Sequence, residues 1–164
     1  MGATEHDVPP DFRDAVAELL YHSQMIETLL RVYLSDINEA ADIALAAEGV
    51  RFKHRFDDLG MPLGRLVDMF DAHSDNGELV RRLRAFTEHR NSAAHVAYVW
   101  GFVNREKPAA VAAMLEKVRA HCDEASDLVG LVTRETVTTY QLKTDSRLHM
   151  LAEHPRKSDT GGGA

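Results

Sequence analysis

Apolar residues recur along two long stretches of the chain at the spacing of an amphipathic helix. In the first stretch they are three, four or seven positions apart, and they are Phe12, Val16, Leu19, Leu20, Ile26, Leu29, Leu30, Tyr33 and Ile37. Proline is tolerated in a first helical turn, and acidic residues there suit the helix dipole. The pattern predicts a helix that begins at Pro10 and continues to Gly49, and it leaves open a kink or break within residues 35–38.

The second periodic stretch begins at Pro108. Its apolar residues are Val111, Met114, Leu115, Val118, Cys122, Ala125, Leu128, Val129 and Val132, and they predict a second long helix. Residues 132–142 are rich in β-branched side chains, which favour strands. Because no other stretch offers a strand partner, we interpret them as helical or irregular. Asp145 or Ser146 is predicted to cap a last, short helix.

Shorter elements are predicted between these two helices. A short helix is expected from Pro62, and Asp75 or Asn76 is expected to cap the helix that follows. Gly101 marks a predicted break. Together the elements predict an all-α, single-domain bundle of four to six helices, with the two long helices supplying most of the core.

Length and composition fit one compact domain. The chain has 164 residues, of which 45% are hydrophobic, enough for one sizeable core. Residues 1–9 and 154–164 are short and polar, so we expect disordered tails on either side of a folded domain at residues 10–153. No apolar run approaches the roughly 18 residues of a membrane span, and the start lacks a secretory signal. These features predict a cytoplasmic protein without membrane contact.

The charge of the chain and the motifs it lacks argue against several classes of function. A net charge of −7 argues against coating nucleic acid or anionic membrane through the overall field, although a local basic patch is permitted. The single cysteine, Cys122, excludes an intramolecular disulfide and a multi-cysteine zinc site. The histidines form no HExxH pattern, and there is no P-loop or GxGxxG motif, so we expect no metal ion and no cofactor.

The segment EHRNSAAH, from Glu88 to His95, lies where a helical pattern ends. With 14 arginines and nine histidines in the chain, an arginine five positions before a histidine is expected about 0.8 times by chance. Requiring asparagine directly after the arginine lowers that expectation to about 0.02. The informative feature is therefore Asn91 after Arg90, more than the spacing of Arg90 and His95.

In this form, R-N-x3-H, Arg90, Asn91 and His95 resemble the R-x4-6-H signature of HEPN domains. A long helix with the sequence YHSQMIETLLRVYL, the short segment LGRLVDMF and a long helix after the motif match the usual order of elements in that family. The resemblance covers residues 10–132. It implies a HEPN-like helical domain, and many HEPN proteins are metal-independent endoribonucleases, often toxins or antiphage effectors. Others are non-catalytic modules that bind RNA or proteins.

The resemblance also implies partners, because in active members two protomers dimerise and both motifs face one cleft. We therefore expect a homodimer with RNA as its substrate, and an antitoxin or other regulatory protein is a further candidate partner. On one straight helix Arg90 and His95 point about 140° apart, so a bend or a second protomer is needed to bring them together.

The chemistry assigns each motif residue a role. Histidine side chains in general titrate near neutral pH, so His95 suits a general base or acid. The guanidinium of Arg90 suits a phosphate and the charge of its transition state, and Asn91 would orient His95 or bind the substrate. The alternative is structural: Arg90 and His95 bind helix carbonyls at a C-terminus, and Asn91 is a C-cap.

Two basic groups are candidates for guiding RNA to this motif. They are Arg51, Lys53 and Arg55 ahead of the short helix, and Arg81 and Arg84 on the motif helix. The alternative is an ordinary solvated face, because carboxylates lie nearby in the sequence. Two hypotheses follow: a metal-independent endoribonuclease that leaves 2′,3′-cyclic phosphate and 5′-hydroxyl ends, or a non-catalytic HEPN-like dimerisation or binding module.

Overall fold

A computed structural model describes residues 8–50, 60–92 and 98–153, and within them it has five helices and no strand. The helices are α1 (Pro10–Ala47), α2 (Leu63–Asp71), α3 (Gly77–Ser92), α4 (Tyr98–Val103) and α5 (Pro108–Glu153). The predicted all-α bundle is confirmed. No helix in these ranges is both long and apolar enough to cross a membrane.

Helix α1 begins and ends where the sequence predicts. Pro10 is its first residue, and the helix runs without a break through residues 35–38. After its last turn Gly49 adopts a positive φ of 76°, and its N–H donates to the Ala46 carbonyl at 3.1 Å. Glycine adopts this left-handed conformation at little cost, which is why helices commonly end on it.

Helix α5 is continuous to Glu153, so the predicted last short helix capped by Asp145 or Ser146 is wrong. The β-branched stretch is helical, and its threonine hydroxyls bond to the helix itself. Thr133, Thr136, Thr138, Thr139 and Thr144 each donate to the carbonyl four residues earlier. Ser146 does the same, at 2.9 Å from the Leu142 oxygen. Val132, Thr136 and Thr139 are buried, and Thr136 also contacts the Leu29 carbonyl of α1. Packing between the two helices therefore outweighs the β-propensity of this stretch.

Helices α1 and α5 lie side by side and run parallel. Hydrogen bonds join Cys122 to Ala15, Thr136 to Leu29 and Lys143 to Asp36, each pair 107 positions apart. Buried residues recur every seven positions as Phe12, Leu19, Ile26, Tyr33 and Ala40 on α1, and as Val111, Val118, Ala125, Val132 and Thr139 on α5. This spacing is that of a coiled coil. We call the paired faces the heptad seam.

Helix α3 runs antiparallel to α5 and is fixed at both ends. At its start, Asn76 Oδ1 accepts the Leu79 N–H at 3.2 Å, which confirms the predicted cap. The amide Nδ2 of Asn76 donates to Glu135 of α5 at 2.8 Å. At its end, His89 stacks on His121 of α5. Partners from the two helices are thus closer in sequence at the end of α3 than at its start, as expected for antiparallel helices.

Helix α4 passes through Gly101, so the predicted break there is wrong. The glycine instead permits close packing on α1. A Cβ atom at this position would lie 2.8 Å from Cε1 of Phe12 and 3.4 Å from Cγ1 of Val8. Both side chains are buried, so α4 reaches this distance because residue 101 has no side chain.

Candidate functional site

The predicted motif lies at the C-terminal end of α3. Arg90 and Asn91 belong to the last turn of that helix, and His95 lies outside the described residues. The side chain of Arg90 is 29% exposed, and Asn91 is exposed. Nη1 of Arg90 donates to Oδ1 of Asn91 at 3.3 Å. The convergence of Arg90 with His95 stays a prediction.

The Arg90 guanidinium is held from α1 by Glu27. Nη2 of Arg90 lies 3.2 Å from Oε1 of Glu27, whose side chain is 17% exposed. Arg31, one turn further along α1, lies 3.6 Å from the other oxygen of Glu27 and donates to the Met61 carbonyl at 2.8 Å. One carboxylate therefore lies between two guanidinium groups. We call Arg90, Glu27 and Arg31 the arginine cluster.

The arginine cluster carries a formal charge of +1 in a half-buried setting. Charges interact more strongly there than on an open surface, because water screens them less. Nε of Arg90 is buried and has no hydrogen-bond partner among the described residues. The arrangement can attract an anion such as a phosphate, while Glu27 both orients Arg90 and competes for its donors.

Sequence reasoning missed Glu27 as a member of the site. The sequence did contain a signal for the Glu27–Arg31 ion pair, because a glutamate four residues before an arginine favours such a pair on a helix. No local sequence signal indicates the contact between Glu27 and Arg90, since these two residues are 63 positions apart. That contact depends on how α3 packs against α1.

The two predicted basic groups differ in what the structure shows of them. Arg51, Lys53 and Arg55 lie outside the described residues. Arg81 and Arg84 are exposed on α3, and each binds a carboxylate. The pairs are Arg81 with Glu78 at 2.6 Å and Arg84 with Asp71 at 2.8 Å. These ion pairs balance the local positive charge of α3.

Arg82, between them in sequence, connects α3 to α5. It donates to Glu124 at 2.9 Å and to Asp127 at 2.6 Å. These two hydrogen bonds raise the pKa of Arg82 above its ordinary value. Each arginine within residues 81–84 thus has a carboxylate partner, and Arg82 serves to anchor the helix that carries the motif.

Two histidines stack where the end of α3 meets α5. The ring centroids of His89 and His121 are 4.1 Å apart, with 20° between the ring planes. The pKa of His121 is lowered from its ordinary value, first by burial and then by the neighbouring His89. Both effects favour a neutral ring. The stacked pair supports α3 one residue before Arg90.

Two other chemical possibilities have clear structural outcomes. Cys122 is buried in the core, and burial, followed by the charges of Glu18 and Asp123, raises the pKa of its thiol to about 11. A thiol of that kind is a poor nucleophile at neutral pH, so Cys122 is a packing residue. Within the described ranges, no group of three or more histidine, cysteine or acidic side chains is placed to hold a metal ion.

Comparison with known proteins adds no relative to this description. No protein-family model, no curated protein and no solved structure matches the chain. The relation of the chain to HEPN domains is therefore an expectation drawn from the motif.

Proposed function

We propose that the chain is a HEPN-like, metal-independent endoribonuclease in which Arg90 and His95 act on an RNA phosphate. The observation that supports this most is the placement of Arg90. Glu27 holds its guanidinium at a helix end, yet 29% of the side chain stays exposed. The described contacts use one bond from each of Nη1 and Nη2, and a guanidinium has five N–H donors. Donors therefore remain for a phosphate.

The proposed reaction is a transesterification. A base, His95 of one protomer, takes the proton of the ribose 2′-hydroxyl, and the 2′-oxygen attacks the adjacent phosphorus. The bond from phosphorus to the 5′-oxygen breaks, and an acid, His95 of the second protomer, supplies the proton to that oxygen. The products are a 2′,3′-cyclic phosphate and a 5′-hydroxyl. Arg90 stabilises the charge that develops on the phosphate.

This proposal includes the wider expectations from the motif. Asn91 orients His95 or binds the substrate, the active species is a cytoplasmic homodimer, and the biological role is that of a toxin or antiphage component. An antitoxin or regulatory protein would then restrain the activity. Arg51, Lys53 and Arg55 remain candidates for RNA contact, together with Arg81 and Arg84.

A second candidate is a non-catalytic HEPN-like module for dimerisation or for binding RNA or protein. One observation favours it: Arg81, Arg82 and Arg84 are all bound to carboxylates. The chain has a net charge of −7, and these three arginines of the described part of α3 are already paired, so they offer little free positive charge beside the motif. RNA affinity depends strongly on such charge.

Cleavage of RNA in the presence of a chelator separates the two candidates. Purified protein is incubated with labelled RNA, with DNA of the same sequence and with EDTA. We expect cleavage of the RNA alone, with cyclic-phosphate ends, and a loss of at least about 100-fold in Arg90→Ala and His95→Ala. The matched control is Arg119→Ala, an exposed arginine 4.0 Å from Asp11, which should keep full activity.

The same experiment can contradict the proposal in two ways. If the wild type and both motif variants leave RNA equally intact, the enzyme hypothesis fails and the binding module remains. If EDTA abolishes cleavage, the metal-independent mechanism is wrong. Thermal unfolding of each variant shows whether a loss of activity reflects a loss of fold.

A further inference from the structure

A cleft of about 690 Å³ lies between α1, the loop that joins α2 to α3, and α5. This volume is typical of sites for small molecules, which bind between the helices of bundles among other places. Tyr33, one of the residues that line it, is 3% exposed. None of the lining residues belongs to the arginine cluster.

Among the described residues that line the cleft, the charged side chains are carboxylates. Asp75 from the loop and Glu135 from α5 both line it, and the described lining includes no lysine or arginine. Asp75 is exposed and has neither a hydrogen bond nor an ion pair with any described side chain. Glu135 accepts a single side-chain hydrogen bond, from the Asn76 amide at 2.8 Å. Both carboxylates can therefore accept hydrogen bonds from a ligand.

Most polar hydrogens that line the cleft are already used. The Tyr33 hydroxyl donates to the His73 carbonyl at 3.0 Å, and the hydroxyls of Thr138 and Thr139 each donate to an α5 carbonyl at 3.0 Å. These three groups retain only lone pairs for a ligand. Donor capacity remains at the Ser74 hydroxyl, the His73 ring and the second N–H of the Asn76 amide.

The negative charge of the cleft also acts on Tyr33, which is buried. The pKa of Tyr33 is raised from its ordinary value, first by burial and then by the charges of Glu135 and Asp75. The phenol therefore stays protonated at neutral pH. The field of both carboxylates reaches the buried end of the cleft.

We propose that the cleft binds a polyamine, with ammonium groups at Asp75 and Glu135 and the methylene chain against Ile37 and Leu142. The two carboxylates, with no basic side chain among the described lining residues, favour a ligand that carries positive charge and donates hydrogen bonds. A free amino acid is disfavoured, because its own carboxylate would lie near Asp75 and Glu135 with no basic side chain among the described lining residues to balance it. A divalent metal ion needs about six oxygen ligands, more than two carboxylates readily supply. Leu142 is 55% exposed and offers the apolar surface that a methylene chain needs.

Calorimetric titration with spermidine tests the proposal on the full chain. We expect binding to the wild type, weakened about tenfold in Asp75→Asn and in Glu135→Gln, because each loses a charge-assisted hydrogen bond. The matched controls are Asp42→Asn and Glu116→Gln, which change the same charge at exposed positions outside the cleft. They should leave the dissociation constant unchanged.

Amide chemical shifts locate the ligand independently of affinity. With spermidine, the largest changes are expected in residues 73–76 and 135–142, and butylammonium should produce the same pattern where ammonium chloride does not. Equal weakening in the cleft variants and the controls would overturn the proposal, since binding would then reflect net charge. Absence of binding to the wild type would overturn it too. The result does not depend on whether the chain cleaves RNA.

Discussion

Replacing Gly101 by alanine places a methyl group where α4 touches α1. The new Cβ would lie 2.8 Å from Cε1 and 3.2 Å from Cδ1 of Phe12. The optimal distance between two non-bonded carbon atoms is about 3.5 to 4.0 Å, so both of these distances are steric clashes. Phe12 is fully buried, so its ring cannot turn out into solvent without losing that burial. Either the ring leaves its rotamer or α4 shifts away from α1.

The magnitude follows from two opposing effects. Overpacking a well-packed core costs about 1 to 3 kcal/mol. Alanine is a better helix former than glycine by about 1 kcal/mol, which partly offsets that cost. Gly130→Ala in α5 is the matched control, because a Cβ there would meet nothing within 4 Å. The two variants should therefore differ in the free energy of unfolding by about 1 to 3 kcal/mol.

Urea unfolding and thermal melts of both variants measure this difference. Gly130→Ala should be more stable than the wild type, and Gly101→Ala should be less stable than Gly130→Ala, by about 2 to 4 °C in Tm for each kcal/mol. Adding Phe12→Leu to Gly101→Ala removes the overlap, so the two changes together should cost less than their sum. If Gly101→Ala stabilises the chain as much as Gly130→Ala does, the close approach of α4 to α1 is refuted.

Three further predictions concern contacts between helices. Because His121 has a lowered pKa, the unfolded chain takes up its proton first, so the free energy of unfolding should fall as pH drops below about 6.5. Urea titrations at pH 7.5 and 5.5 should show a smaller fall in His121→Gln, and an equal fall would contradict the assignment. Lys143→Met leaves the buried Asp36 without its main partner and should cost about 3 kcal/mol in chemical unfolding, more than the double variant with Asp36→Asn. Asn76→Ala removes a helix cap and should cost about 1 to 2 kcal/mol, whereas Asn76→Ser should recover part of that stability.

The helices of the bundle were largely predictable because their signals are local. Pro10, Pro108 and Asn76 mark helix starts through the backbone restrictions and hydrogen bonds of a first turn. The wrong predictions, a break at Gly101 and a separate last helix, concern places where tertiary packing determines the structure. Gly101 is a residue of α4 and not a break, and the glycine is needed there because Phe12 occupies the space that a side chain would take.

The candidate site was predictable only in part. Arg90 and Asn91 were found from the motif and lie together at the end of α3. The partner of Arg90, Glu27, comes from another helix, and nothing in the local sequence specifies that α3 packs there. The cleft depends on the same kind of information, since Asp75 and Glu135 are 60 positions apart and meet only through the packing of the α2–α3 loop on α5.

The heptad seam restricts how this sequence can change in length. One residue inserted near the middle of α5 would rotate the rest of the helix by about 100°. It would separate Lys143 from Asp36 and turn the buried heptad positions after the insertion away from α1. Seven residues added at matching points of α1 and α5 would preserve the pairing. A connection between helices, such as residues 104–107, faces no heptad rule, because it need only join two helix ends. Length variation among descendants of this sequence should therefore accumulate in such connections and be rare inside α1 or α5.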